Sequence, residues 1–367
     1  MWGPLCGASV PLRSAPHQER DKPTLMLNLN AYRAAREGAA WSDRSGRVRL
    51  EVAGPDRAKF LHNLTTNDVK RLPVNRGCEA FVTSPQGRAL AYVKILACAD
   101  SILVCTDPGG LVLALPHFRK YGLFDDIVLE DRSETTFEFH LAGPGAEKLL
   151  RISGTRLPEP GELAHVATAV ADCPLLMIRE SPTGRPGLTL IGARSSAAKV
   201  AGLLRALGHD LGLAELDLES FEVLRIEAGT PVFGRDVTEK NLPQEVGRDA
   251  QAINFVKGCY LGQETVARLD ALGHVNQILK GLLLAPQAGA PAPGSVLEAN
   301  GKRVGFVTSS AISPGWDAPV ALAMVRTSHA SAGATLVVKE YERSLPEDAA
   351  ATVCDLPMLP PHGRTPP

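Results

Sequence analysis

An excess of charge of either sign is missing from this chain: 39 basic and 40 acidic residues leave a net charge of −1. With no basic excess there is no global attraction to nucleic acid or anionic lipid, so any link to RNA runs through a protein partner. No apolar run approaches the ~20 residues a membrane-spanning helix needs. The seven cysteines include no Cys-x-x-Cys pair, which argues against a disulfide framework and a zinc ribbon and fits a reducing, cytoplasmic setting. No two of the nine histidines stand three or four residues apart, so no preformed metal site is indicated. His274, shortly after Cys259, is the one histidine near a candidate site. There is no hydrophobic core to a secretory signal in residues 1–25, whose arginines and serines leave a weak organelle-targeting alternative to a start at Met26.

What is present is a dense polar and glycine-rich stretch, Lys257-Gly258-Cys259-Tyr260-Leu261-Gly262-Gln263-Glu264. Gly258 and Gly262 permit a sharp turn and close backbone approach. Gln263 to Leu269 reads as a helix with acid in its first turn. Cys259 therefore precedes a helix N-terminus and lies two residues from Lys257, both of which favour a thiolate. A cysteine acting as a small buried hydrophobe is the equal alternative.

The chain is long enough for two or three domains. Arg47–Val52 reads as a strand that turns at Gly54-Pro55-Asp56 into a helix, and Ala80–Thr83, Ala89–Ala97 and Ser101–Thr106 read as a meander. From Ser133 a strand–helix–strand–strand–helix pattern gives a ferredoxin-like unit. Asp217–Ala228 is a helix stopped by Gly229, and Asn300-Gly301 marks a hairpin in an all-β C-terminal part. The final 24 residues hold six prolines and read as a disordered tail.

The octapeptide resembles the signature of the YgfZ family, folate-binding relatives of the glycine-cleavage aminomethyltransferase (GcvT). Leu224-Arg225-Ile226-Glu227-Ala228-Gly229, Gly234-Arg235-Asp236, Leu242-Pro243-Gln244-Glu245 and Gly305-Phe306-Val307-Thr308-Ser309-Ser310 are similar to further family blocks. So are Val52-Ala53-Gly54-Pro55-Asp56 and Thr66-Asn67-Asp68-Val69. The resemblance implies an α+β, GcvT-like three-domain ring. Its parts are a discontinuous folate-binding domain (26–132 plus 214–275), a ferredoxin-like domain (133–213) and a C-terminal β-barrel (276–342). Extensions 1–25 and 343–367 are then disordered.

The resemblance also assigns roles. Glu227 becomes the acceptor for a folate pterin, because one carboxylate takes two parallel N–H bonds from a 2-aminopyrimidinone ring. Lys257 pairs with a folate tail or with Cys259, or is simply solvated. Phe221 and Arg47 stand where some members stack tryptophans on the folate, and Phe221 either stacks or is core. Gly258, Tyr260, Gly262, Gln263, Glu264 and Arg268 support the motif, with Glu264 and Arg268 at ion-pair spacing. Asp236 and Glu245 either organise their loop or bind ligand. Aminomethyltransferases carry a catalytic aspartate where this chain has Leu90-Ala91.

The implied function is a monomeric folate-binding accessory protein for iron–sulfur cluster assembly or repair, including cluster enzymes that modify tRNA. Folate is its cofactor and Cys259 its reactive residue. One thiolate cannot hold a cluster alone, so any cluster is transient and shared with carrier or client proteins, with no direct nucleic-acid or membrane contact. The alternative is a folate-dependent aminomethyltransferase, against which Leu90-Ala91 argues.

Overall fold

The structure is a computed structural model that describes residues 27–152, 154–273, 275–340 and 349–361; the extension 1–25 and His274 lie outside them. The described chain opens with α1 (Leu29–Glu37), whose Asn28 side chain accepts from the Ala31 N–H, and with β1 (Ala39–Asp43). Five antiparallel strands follow: β2 (Val48–Ala53), β3 (Gly77–Thr83), β4 (Ala89–Ala97), β5 (Ser101–Thr106) and β6 (Val128–Asp131), ordered β3-β4-β5-β2-β6. Two helices, α2 (Arg57–Leu64) and α3 (Pro108–Tyr121), bury Phe60, Leu61 and Phe118 against Val93 and Ile95 of this sheet.

The second sheet has six strands in the order β11-β1-β7-β10-β9-β8. Its strands are β1 with β7 (Thr136–Ala142), β8 (His165–Val170), β9 (Cys173–Arg179), β10 (Gly187–Ala193) and β11 (Leu213–Glu215). Helices α4 (Ala146–Ile152) and α5 (Ala197–Leu211) close over a core containing Trp41, Phe137 and Phe139. Sequence reasoning placed residues 26–132 wholly in the first domain, yet β1 pairs with β7 and β11 in the second. Ala39, Ala40 and Trp41 are all buried, so no alternation advertised this strand. β8 was also missed, because its turn into β9 uses Ala171 and Asp172 at positive φ (51° and 56°) where glycine or asparagine is usual.

Next comes α6 (Leu218–Glu227), capped by the Asp217 carboxylate on the Ser220 N–H. Seven of its ten residues are buried, because it lies between α1 and the barrel strand beyond. After α7 (Asp249–Ala252) and α8 (Gln263–Leu272) the chain forms a closed six-stranded barrel. Its strands are β12 (Gln277–Leu284), β13 (Val296–Ala299), β14 (Lys302–Ser313), β15 (Ala318–Arg326), β16 (Thr335–Lys339) and β17 (Ala350–Cys354). The α+β fold and the terminal barrel agree with expectation, and Asn300-Gly301 joins β13 to β14 at positive φ.

The disordered tail does not hold over residues 349–361. β17 pairs with both β12 and β16 and closes the barrel, and Ala351, Val353 and Met358 are buried. Proline content masked a short apolar alternation that barrel closure requires. Among the described residues no helix is long and apolar enough to cross a membrane.

Candidate functional site at the domain junction

A cavity of about 560 Å³ opens where the first sheet, the second domain, α6 and the C-terminal segment meet. Volumes of this order suit a small-molecule ligand. The β1–β2 turn contributes Arg44 and Arg47, and the first sheet contributes Glu79, Tyr92 and Lys94. From α6 come Leu218, Phe221, Glu222 and Arg225, with Pro231, Val232 and Arg235 just beyond it. Asp107, Glu162, Pro182, Arg248, Pro357 and Leu359 complete most of the wall.

Ion pairs hold most of the charge on this wall. Arg248 reaches both oxygens of Glu79 (2.8 and 2.6 Å), and Tyr92 donates to the same carboxylate at 2.5 Å. Burial works against the Glu79 carboxylate, but Arg248 and Tyr92 outweigh it and lower its pKa. Asp107 accepts from Arg47 Nε at 3.4 Å and from the Phe233 N–H at 3.0 Å. Glu222 accepts from Arg225 and, at 3.0 Å, from Arg235. Behind the wall, Lys94 pairs with Glu180, which also accepts from Thr189 at 2.5 Å. His140 donates from Nδ1 to that Thr189 hydroxyl at 2.8 Å. Burial drives the His140 pKa down to about 3, keeping the imidazole neutral.

Arg44 stands apart. Its guanidinium lies 4.3 Å from the Phe221 ring centroid, and its Nη1 is buried with no hydrogen-bond partner. Burial, then the neighbouring Arg47, lowers its pKa. Glu162 and Asp43 are wall carboxylates outside any ion pair among the described residues: Glu162 Oε1 accepts the Ser181 N–H at 3.0 Å and Asp43 accepts the Ser45 N–H at 2.8 Å; burial raises the Glu162 pKa.

The expected site residues do not converge here. Phe221 does line the cavity. Glu227 does not: its Oε1 accepts from Tyr32 (2.7 Å) and Ser313 (2.6 Å), and its carbonyl accepts from the Met358 N–H. Being buried, it joins α1, α6 and the barrel rather than facing a ligand. Glu222, more than one helical turn earlier, faces the cavity instead; alternation of exposed and buried positions on a helix buried nearly all round gave no way to choose between them. Leu90 and Ala91 occupy β4 and are absent from the lining.

The signature stretch lies away from the cavity. Lys257 is buried, and its ammonium donates to the carbonyls of His62 (2.5 Å), Thr65 (2.6 Å) and Asn67 (2.8 Å). Burial lowers its pKa to about 7. The lysine is thus neither solvated nor spent on the thiol; it clamps the loop to the end of α2. Tyr260 packs over that ammonium (4.7 Å), and its N–H donates to Gln263. Gly262 caps α8 at positive φ, Gly258 lies beside His62, and Glu264 and Arg268 are exposed with no ion pair between them. Cys259 is exposed, as are Phe255 and Val256 a few positions earlier in the chain, at 42% and 90%.

Asp236 and Glu245 organise structure. Asp236 accepts from Arg225, Val232 N–H, Thr308 and Ser309 at 2.6–2.9 Å. Glu245 accepts from Asn241, the Leu242 N–H and Gln277. No group of three or more His, Cys, Asp or Glu that could hold a metal occurs among the described residues.

Sequence comparison agrees with this architecture. The GCVT N-terminal domain matches residues 25–255, and the glycine cleavage T-protein C-terminal barrel domain matches residues 279–359. The chain belongs to the GCVT family. It is 29% identical over 316 residues to a chloroplastic protein of Arabidopsis thaliana provisionally named a transferase, covering 85% of this chain and 69% of that protein. An aminomethyltransferase of Symbiobacterium thermophilum is 27% identical over 327 residues, covering 86% of each. The solved aminomethyltransferase of Bartonella henselae superposes with a TM-score of 0.79 at 20% identity, over 90% of this chain and 89% of its own, which establishes the shared fold.

Proposed function

We propose that this chain binds a reduced folate in the junction cavity, performs no aminomethyl transfer, and serves iron–sulfur cluster assembly or repair through Cys259. The observation that carries the folate reading is the adjacency of Phe221 and Glu222 on the wall of a cavity of about 560 Å³. An aromatic face and carboxylate oxygens with spare lone pairs are what a planar 2-aminopyrimidinone needs. Glu222 thereby takes the acceptor role expected of Glu227. The aminomethyltransferase names of its relatives support tetrahydrofolate as the ligand class.

Aminomethyl transfer needs a carboxylate free to position the reacting folate nitrogen. Leucine and alanine, Leu90 and Ala91 of β4, stand in that place. The accessory role rests on the YgfZ-like octapeptide and on a thiol accessible to a partner. Iron–sulfur carriers and client enzymes, tRNA-modifying ones included, are the partners this reading implies.

Calorimetric titration with 5-formyltetrahydrofolate tests the first half: micromolar binding is expected. Glu222→Gln exchanges an acceptor for a donor and should weaken it by ~1.5–3 kcal/mol. Absence of heat with any reduced folate at millimolar concentration would overturn the reading.

A further inference from the structure

The C-terminal residues 356–361 cross the molecule as a strap that runs from the barrel over the junction cavity. Side chains alternate along its middle. Leu356 and Met358 pack with Ile226, Leu279 and Leu322, while Pro357 and Leu359 line the cavity. A period of two is what an extended segment presents when its two faces meet different surroundings.

The strap is seated, not draped. Met358 donates its N–H to the Glu227 carbonyl (2.9 Å) and accepts from Trp316 Nε1 on its own carbonyl (3.0 Å). Arg36 donates to the Pro360 and Pro361 carbonyls at 3.3 and 3.4 Å. Four glycines from four separate segments of the chain leave room for it. A Cβ on Gly184 would lie 2.7 Å from Leu359, and one on Gly229 would lie 2.8 Å from Leu356. On Gly281 it would meet the Met358 sulfur at 2.6 Å, and on Gly315 the Pro360 ring at 2.5 Å. Gly281 has no positive φ to explain it; space for the strap does, and Gly315 leaves room for Pro360 together with Arg36 and Tyr32.

We propose that this strap is part of the ligand site, with Leu359 a specificity-determining contact that supplies apolar wall to the cavity. Resting on the folate reading, it assigns Leu359 to the non-polar face of the bound ring. Its loss therefore acts on ligand retention more than on folding.

The test compares Leu359→Ala, Leu359→Met and Leu356→Ala in the full chain, by thermal melting and by titration with 5-formyltetrahydrofolate. Leu359→Ala should weaken binding about ten-fold, the effect of uncovering part of one leucine's apolar surface, and Leu359→Met should restore most of it. Leu356→Ala should lower the melting temperature at least as much yet leave affinity within two-fold. Equal affinities for both alanine variants would overturn the assignment. A parallel titration with anilinonaphthalene sulfonate, a flat aromatic anion, separates the two ideas. If the unaltered chain ignores folates but the dye still distinguishes Leu359→Ala from Leu356→Ala, the folate reading fails and the strap wall stands. If the dye also fails to distinguish them, the strap wall falls.

Discussion

Gly87, in the β3–β4 turn, and Gly262, at the head of α8, meet backbone to backbone. A Cβ on Gly262 would lie 2.9 Å from the Gly87 Cα, and one on Gly87 would lie 3.0 Å from the Gly262 carbonyl oxygen. Both residues hold positive φ, 74° and 84°. The signature loop is thus moulded onto the turn between β3 and β4. Gly262→Ala combines left-handed strain of roughly 1–2 kcal/mol with overpacking of ~1–3 kcal/mol. Urea denaturation should show a loss of about 2–5 kcal/mol; a loss under ~1 kcal/mol would mean the loop gives way freely.

That contact also marks the limit of what the sequence disclosed. Two adjacent glycine turns were legible one by one, since each glycine stands at a break in apolar periodicity. Their meeting, 175 positions apart by number, was not. The same holds for the site. Phe221 was found by resemblance and does face the cavity, but Glu227 and Glu222 share one helix that is buried on nearly every side. Amphipathic reasoning has no purchase on such a helix. Lys257 was misplaced because a lysine ending on three backbone carbonyls depends on where Thr65 and Asn67 fold, which no local pattern encodes. The barrel strands β13 and β14 were readable because their hairpin is local.

Asp236 ties α6 to the barrel. It binds Arg225 at 2.6 Å and takes the hydroxyls of Thr308 and Ser309, all in a buried setting. Asp236→Ala leaves Arg225 short of its strongest partner, although Glu222 remains. Breaking a buried pair by removing one member costs ~3–5 kcal/mol. Denaturation midpoints should fall accordingly, and the cavity arginine's displacement should weaken ligand binding with it.

Asp249 gives a pH signature. Burial, then the nearby Asp270, raises its pKa from an ordinary carboxylate value to about 6, and its Oδ1 has no hydrogen-bond partner. A raised acid binds its proton more tightly folded than unfolded. Its stabilising effect is therefore full below the unfolded pKa near 4 and lost as pH climbs to about 6. Asp249→Asn should stabilise the protein at pH 7 by ~1 kcal/mol, a figure reduced for partial solvent screening. The gain should vanish below pH 4. Equal melting temperatures for the two chains at pH 7 would remove this penalty from consideration.

Ending the chain at Arg343 deletes β17 and the strap together. Ala351, Val353 and Met358 then leave their buried positions, and β12 and β16 lose the strand between them. Each large apolar side chain lost from the core costs ~1.5–3 kcal/mol, before two unpaired strand edges are counted. Such a chain should melt more than ~10 °C lower or aggregate. An unchanged melting curve would show that the barrel closes without its last strand.

Cys259 should be the first of the described cysteines to be alkylated. Cys105 and Cys173 are buried, while Cys78, Cys98 and Cys354 are half-buried. Burial pushes the thiols of Cys78 and Cys105 up to about 12 and that of Cys98 to about 11, leaving almost no reactive thiolate at pH 7. Cys259 is open to solvent, and the Lys257 ammonium is held on three backbone carbonyls, so accessibility sets its lead. Peptide mapping after brief iodoacetamide treatment should find it labelled first, at a rate unaffected by saturating folate, because it lies outside the cavity. Cys259→Ser should leave melting temperature and folate affinity unchanged, since the side chain supports neither. In cells that depend on this protein, iron–sulfur enzyme maturation should nevertheless fail, most visibly under oxidative stress. Full complementation by the serine variant would separate the exposed thiol from function and leave the folate cavity to carry it alone.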